Sequence, residues 1–168
     1  MLRYGMLVAM LLSGVATLSI RAEERHLPTD SLSRQAQRDA AFAEHVTAMV
    51  TSRRFIFRPI EMQSIELGTT RDTYAYNFFF SLDEQRAVVH LPFEMVSMVI
   101  YTEQFEATAT NYSSALVADS YYRILFTLEH DVAEWAVEMV VPLTTGEVRM
   151  AIVTSEGTMR YIGSLEPM

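Results

Sequence analysis

The sequence predicts a mainly β (α+β) fold: one N-terminal amphipathic helix packed on an antiparallel β-sheet curled into a sandwich or a partly open barrel. Three observations lead there. Apolar residues recur at helical spacing between residues 34 and 53. Apolar and polar residues alternate with period two through four segments of the last third. Short turn-forming stretches separate those segments at the spacing of hairpins.

The chain opens on a segment set apart from this domain. Arg3 is followed by MLVAMLLSGVATLSI, without a charge over residues 6–20, and then by a polar stretch. That pattern describes a secretory signal peptide over 1–22, with cleavage after Ala22. Its apolar part is shorter than the ~20 residues a spanning helix needs, so no membrane span is expected in the mature form. No cysteine follows it, so a lipid anchor of the bacterial lipoprotein kind is excluded. Residues 23–33 read as a flexible polar leader. Residues 34–168 read as a single β-rich domain.

Within that domain, Phe42, Val46, Met49 and Val50 stand at i, i+4, i+7 and i+8, one apolar stripe of a helix over about 34–53. Asp30, Ser31 or Ser33 can cap its start, and Arg53-Arg54 suit its negative end. RFIFRPIEMQSIEL then reads as an irregular strand pair or a bulged strand, with Pro59 at an edge or bulge because it cannot donate to a ladder. Residues 74–82 (YAYNFFFSL) alternate. Tyr74, Tyr76, Phe78, Phe80 and Leu82 fall on one face, and Phe79 breaks the polar pattern of the other. After a turn at 83–86, AVVHL returns as a strand that Pro92 is expected to end. His90 points away from Val89 and Leu91, towards solvent or a polar pocket. Residues 93–103 leave helix, strand and loop open. Residues 104–112 read as strand and 111–119 as loop. Four strands at 122–129, 134–141, 148–153 and 158–165 complete a meander, for about eight to ten strands in all.

The order of RFIFRPI, the Gly68 turn, YAYNFFF, VVHLPF and RYIGSL resembles the DUF4251 family, small exported proteins mostly of Bacteroidetes. The likeness spans about residues 45–168 and rests on Phe55, Phe57, Leu91-Pro92-Phe93 and Tyr161-Ile162-Gly163. Where the family usually places a glycine after its Leu-Pro-aromatic step, this chain has Glu94-Met95. The resemblance implies export and a β-rich domain, and it brings no catalytic residue with it.

Composition narrows the chemistry. With no cysteine and no lysine, disulfides, thiol catalysis, Schiff-base chemistry and a phosphate-binding P-loop lysine are excluded. A net charge of −8 without a basic cluster is a poor match for nucleic acid. Glu129-His130-Asp131 with Glu134 is the densest set of metal-ligating side chains, but it falls on a predicted hairpin turn, where polar residues are expected for backbone reasons. His45 borders the helix stripe and reads as a solvated or locally bonded histidine. No metal, cofactor or catalytic residue is assigned.

The aromatic residues remain. Phe79, Tyr74, Tyr76 and Trp135 are the candidate surface for a ligand or partner, against the alternative that they are core. The expected function is that of an exported, non-enzymatic cell-envelope protein, periplasmic or at the outer surface, holding a small apolar or peptide ligand or another envelope protein. A hydrolase of glycan or peptidoglycan using carboxylates from separate strands is the alternative, and a structural or stress accessory is the third reading.

Overall fold

The computed structural model describes residues 29–94 and 99–168. The expected signal peptide over 1–22, and residues 23–28 of the expected leader, lie outside the described residues. Helix α1 spans Thr29–Ser52. It is followed by β1 (Arg54–Ser64), β2 (Thr69–Asp72), β3 (Phe79–Asp83), β4 (Arg86–Phe93), β5 (Tyr101–Val117), β6 (Tyr121–His130), β7 (Ala133–Pro142), β8 (Val148–Val153) and β9 (Thr158–Glu166). The helix starts earlier than its apolar stripe predicts. Residues 29–33, expected in a flexible leader, lie within the helix.

Every strand pair is antiparallel, and β1 pairs with β9 as well as with β3, so eight strands close into a barrel with β2 as an extra strand on β1. The sandwich and the partly open barrel are thereby replaced by a closed barrel. Closure removes the two sheet edges that an open meander would leave unpaired. An eight-stranded barrel is just wide enough for side chains to fill it. Here Phe55, Phe57, Phe80, Leu82, Val89, Leu91, Ile124, Phe126, Met139, Met150 and Tyr161, all buried, do so. The outward face carries ion pairs, among them Arg86–Glu106 at 2.7 Å and Arg123–Glu138 at 2.8 Å. An apolar inside and a charged outside are the reverse of a water-filled barrel in a membrane. No helix among the described residues is long and apolar enough to cross a membrane.

The helix adds Val46, Met49 and Val50 to the barrel core. Its C-terminal end is tied down by Tyr112, whose hydroxyl donates to the Val50 carbonyl at 2.9 Å. Burial pushes the Tyr112 phenol up to about 12. Arg53, just past the helix, lies 4.6 Å over the Tyr112 ring and takes a φ of 55°, the reversal that sends the chain into β1.

Two bulges explain where sequence pattern and structure part. In β1, Phe55, Phe57 and Pro59 face inward, and after the irregularity between Pro59 and Glu61 the inward positions become Met62 and Ser64. The extra residue, Ile60, is half exposed. This is the bulged strand the proline predicts. In β5 the register shifts between Thr110 and Ser113, with Asn111 at a φ of 54°. That break in alternation makes 111–119 look like a loop, whereas the strand runs on to Val117 and the turn falls on Ala118 and Asp119, both at positive φ.

Pro92 does not end β4. It pairs with Thr102, and the strand continues to Phe93. The other neighbour, β3, begins only at Phe79 opposite His90, so Pro92 sits where β4 has a partner on one side alone. Of residues 93–103, the strand β5 takes up from Tyr101, and 95–98 lie outside the described residues.

Candidate functional site

The largest departure from the predicted pattern builds the site. β1 divides one edge between two strands: Arg54–Phe57 pair with β3, and Glu61–Ser64 with β2. Between them stand Pro59, without an N–H, and the bulged Ile60. The chain crossing this gap has no ladder to join, so residues 73–78 leave the sheet despite their strand-like alternation. The predicted strand over 74–82 is therefore only Phe79–Asp83. The connection is held by the Thr73 N–H donating to the Ile60 carbonyl at 2.9 Å and the Tyr76 N–H to the Thr73 carbonyl at 3.1 Å.

Freed from the ladder, this connection stands away from the barrel wall and encloses a lateral pocket of about 440 Å³. Tyr76, Asn77 and Phe78 form one side, and His90 and Pro92 of β4 the other. Arg71, Asp72 and Thr73 line it from β2 onward, and Ile100 and Thr102 from the start of β5. Such a volume is within the usual range for small-molecule sites.

Two polar atoms distinguish it. Thr73, only 2% exposed, buries its Oγ1, and His90 buries its Nδ1; neither atom has a hydrogen-bond partner. They are the only such buried side-chain atoms among the described residues, and both belong to residues lining this pocket. A buried polar group without a partner costs about 1–3 kcal/mol, which sets this hollow apart from the rest of the described surface. A second hollow of about 420 Å³ lies over β7, β8, β9 and β1, lined by Glu61, Glu138, Arg149 and Arg160 among others. Its Glu138 is bound by Arg123, and no orphaned buried atom faces it. The lateral pocket is therefore the better candidate, although the two are nearly equal in size.

Aromatic rings run along the pocket in sequence. Tyr76 lies 5.3 Å from Phe78, Phe78 lies 5.6 Å from His90, and His90 lies 5.6 Å from Phe79. Tyr76 is 65% exposed and Tyr74 is 74% exposed, which makes them surface rather than core. Phe79 is half-buried on the outer side of the barrel, opposite His90 in the β3–β4 ladder.

A clamp fixes the pocket's far end. Glu94, with no exposed surface, accepts from Arg71 Nη2 at 3.0 Å and from Thr69 Oγ1 at 2.6 Å. These two bonds, the Arg71 one first, hold the Glu94 carboxyl below the usual carboxylate range. The arrangement ties β2 to the end of β4. At the other side, Arg58 donates to Asn77 Oδ1 at 3.2 Å while its Nε binds Glu166 at 2.8 Å.

The structure brings Tyr76 to the pocket, places Phe79 behind His90 and leaves Tyr74 on the surface beside them. It separates Trp135 from this group. Trp135 sits at the barrel mouth, 5.3 Å from Phe93 and edge-on to Phe105 at 4.8 Å, on a hollow of about 210 Å³ shared with Tyr101, Glu103 and Glu156. The Glu129–Glu134 cluster is used structurally: Glu129 accepts from Thr110 at 2.7 Å, and His130 stacks on Phe105 at 4.3 Å. No group of three metal-ligating side chains occurs among the described residues. Sequence reasoning missed Thr73, Arg71 and Glu94. Glu94-Met95, standing where a glycine is usual, was the only signal for the last of them.

The fold and this pocket define a class: a closed eight-stranded antiparallel barrel, capped by an N-terminal helix and carrying a lateral pocket. The chain is similar in structure to a DUF4251 family protein from Bacteroides eggerthii DSM 20697, with a TM-score of 0.65 and 17% identity, covering 79% of this chain and 91% of that one. The resemblance carried by RFIFRPI, VVHLPF and RYIGSL is thus met by a shared fold, and the likeness extends to the fold alone. No protein-family profile and no curated protein matches the chain.

Proposed function

We propose that this chain is an exported cell-envelope protein, without catalytic activity of its own, that binds a small ligand in the lateral pocket. The observation that carries the reading is the pair of buried, unpartnered atoms Thr73 Oγ1 and His90 Nδ1 on two residues that line one hollow, beside an exposed aromatic strip. A hydrogen-bonding ligand removes their desolvation cost, and Tyr76 and Phe78 supply apolar contact area. The pocket lining offers one carboxylate, Asp72, in place of the facing pair a glycan hydrolase needs. The signal-peptide pattern supports the envelope location.

The test is purification of the native protein from an envelope extract followed by native mass spectrometry. The expected protein mass is that of the chain from residue 23 onward, carrying a non-covalent small-molecule adduct that is lost in the Thr73→Val, His90→Ala double variant. An unprocessed chain in the cytosol overturns the location, and a bare chain overturns the binding role.

A further inference from the structure

We infer that the lateral pocket takes a neutral saccharide ring. This deepens the binding role and rests on it.

Three features of the pocket select the chemistry. First, the two orphaned atoms are ambivalent. A threonine hydroxyl both donates and accepts, and an imidazole nitrogen does either according to its tautomer. The ligand group that answers both without fixing either is another hydroxyl, which also donates and accepts. Second, the lining mixes signs. Arg71 and Asp72 stand at the same site, and Arg71 is already neutralised by Glu94 at 3.0 Å. A free anion meets Asp72 and finds the guanidinium engaged, and a cation meets Arg71, so neither gains from entering. The planar Asp72 carboxylate, with two acceptor oxygens, is well shaped to accept from two neighbouring hydroxyls. Third, the rings are exposed or half-buried rather than sealed in the core. Tyr76 is 65% exposed and tilted by 34° against Phe78. An exposed aromatic side chain beside buried hydrogen-bonding atoms suits a ligand with one C–H-rich face and a hydroxylated rim. A saccharide ring has that shape. A purely apolar ligand would cover the rings and leave Thr73 and His90 unpaired. A peptide segment, whose amide N–H only donates and whose carbonyl only accepts, would need both atoms in fixed roles.

The experiment uses imidazole resonances of the mature chain by NMR, with the His90 signal assigned by its loss in His90→Gln. Four probes are titrated separately: glucose and N-acetylglucosamine as neutral rings, glucuronate as an anion, and benzyl alcohol as an aromatic without a sugar rim. The expected result is a saturable shift of His90 with at least one neutral sugar. Its dissociation constant rises at least tenfold in Thr73→Val, an isosteric change, and in Tyr76→Ala, a change at an exposed site. Saturation by glucuronate or benzyl alcohol with no response to either sugar overturns the saccharide assignment and leaves the pocket a binding site. No His90 response to any probe overturns the saccharide assignment and counts against the pocket as well. A sugar response undiminished in both variants places binding elsewhere and overturns the inference.

Discussion

Replacing Thr73 by valine should make the unliganded protein more stable, the opposite of what most buried substitutions do. The side chain is 2% exposed and its hydroxyl has no partner. Valine keeps the branched shape, so no cavity opens, while the desolvation cost of the hydroxyl, about 1–3 kcal/mol for an unpaired buried group, disappears. Taking the lower end, the expected gain is about 1 kcal/mol, or ~2–4 °C in Tm for a chain of this size. Thr73→Ser is the partner variant. It keeps the hydroxyl and deletes a methyl, so it should lose about 1 kcal/mol. Urea unfolding followed by far-ultraviolet circular dichroism reads both in the same buffer. A Thr73→Val midpoint below that of the parent protein would show that the hydroxyl is satisfied in the free protein. No ligand group would then be needed at this position. The gain in stability at the expense of binding is the trade expected where a site is kept imperfect for function.

Other predictions follow from packing and charge. Gly163→Ala should cost about 3 kcal/mol or more, because a Cβ there would stand 2.9 Å from Phe57 Cε2 and push into the Arg58 backbone at the closing seam. Gly146→Ala, with open space around the added methyl, should stay within about 0.5 kcal/mol of the parent; equal midpoints for the two would contradict the β1–β9 closure. Phe80→Ala should cost about 3–5 kcal/mol, since that ring is fully buried against Phe55 and Phe126. Phe79→Ala, from the outer face, should cost about 1 kcal/mol; a reversed order would mean a one-residue slip of β3. The Glu94 carboxyl titrates below its ordinary value near 4.5, held there by Arg71 and Thr69. Its contribution is therefore complete above that value and lost as pH falls through the folded-state pKa. Glu94→Gln should lower stability at neutral pH and flatten the acid limb of the stability–pH curve below about 4.5; parallel acid limbs would refute the clamp.

Much of the barrel was legible in the residues. Tyr122 through Leu128, Trp135 through Val141 and Val148 through Ile152 alternate cleanly because one face of each strand is apolar and the other meets solvent. The alternation failed at two bulges and at one gap. Asn111 breaks the phase of a strand that does not end there. Residues 74–78 carry a strand-like pattern with no partner edge to pair with, since Pro59 and Ile60 interrupt the neighbouring ladder. His90 was readable as facing outward, and the aromatic strip as a candidate surface. Thr73 was not, because nothing local marks a threonine whose hydroxyl will be buried.

From the amino-acid order alone came the apolar leader, the single helix stripe, the antiparallel meander and the chemistries that a chain without cysteine or lysine cannot perform. Those properties are local or compositional, and periodicity reports them directly. The closure of β1 on β9, some hundred residues apart, the lateral pocket and the pairing of Arg71 with the buried Glu94 were decided only in three dimensions. A period of two states which way a side chain points but not what stands opposite it, and a polar atom becomes an orphan only when distant segments have taken its water away.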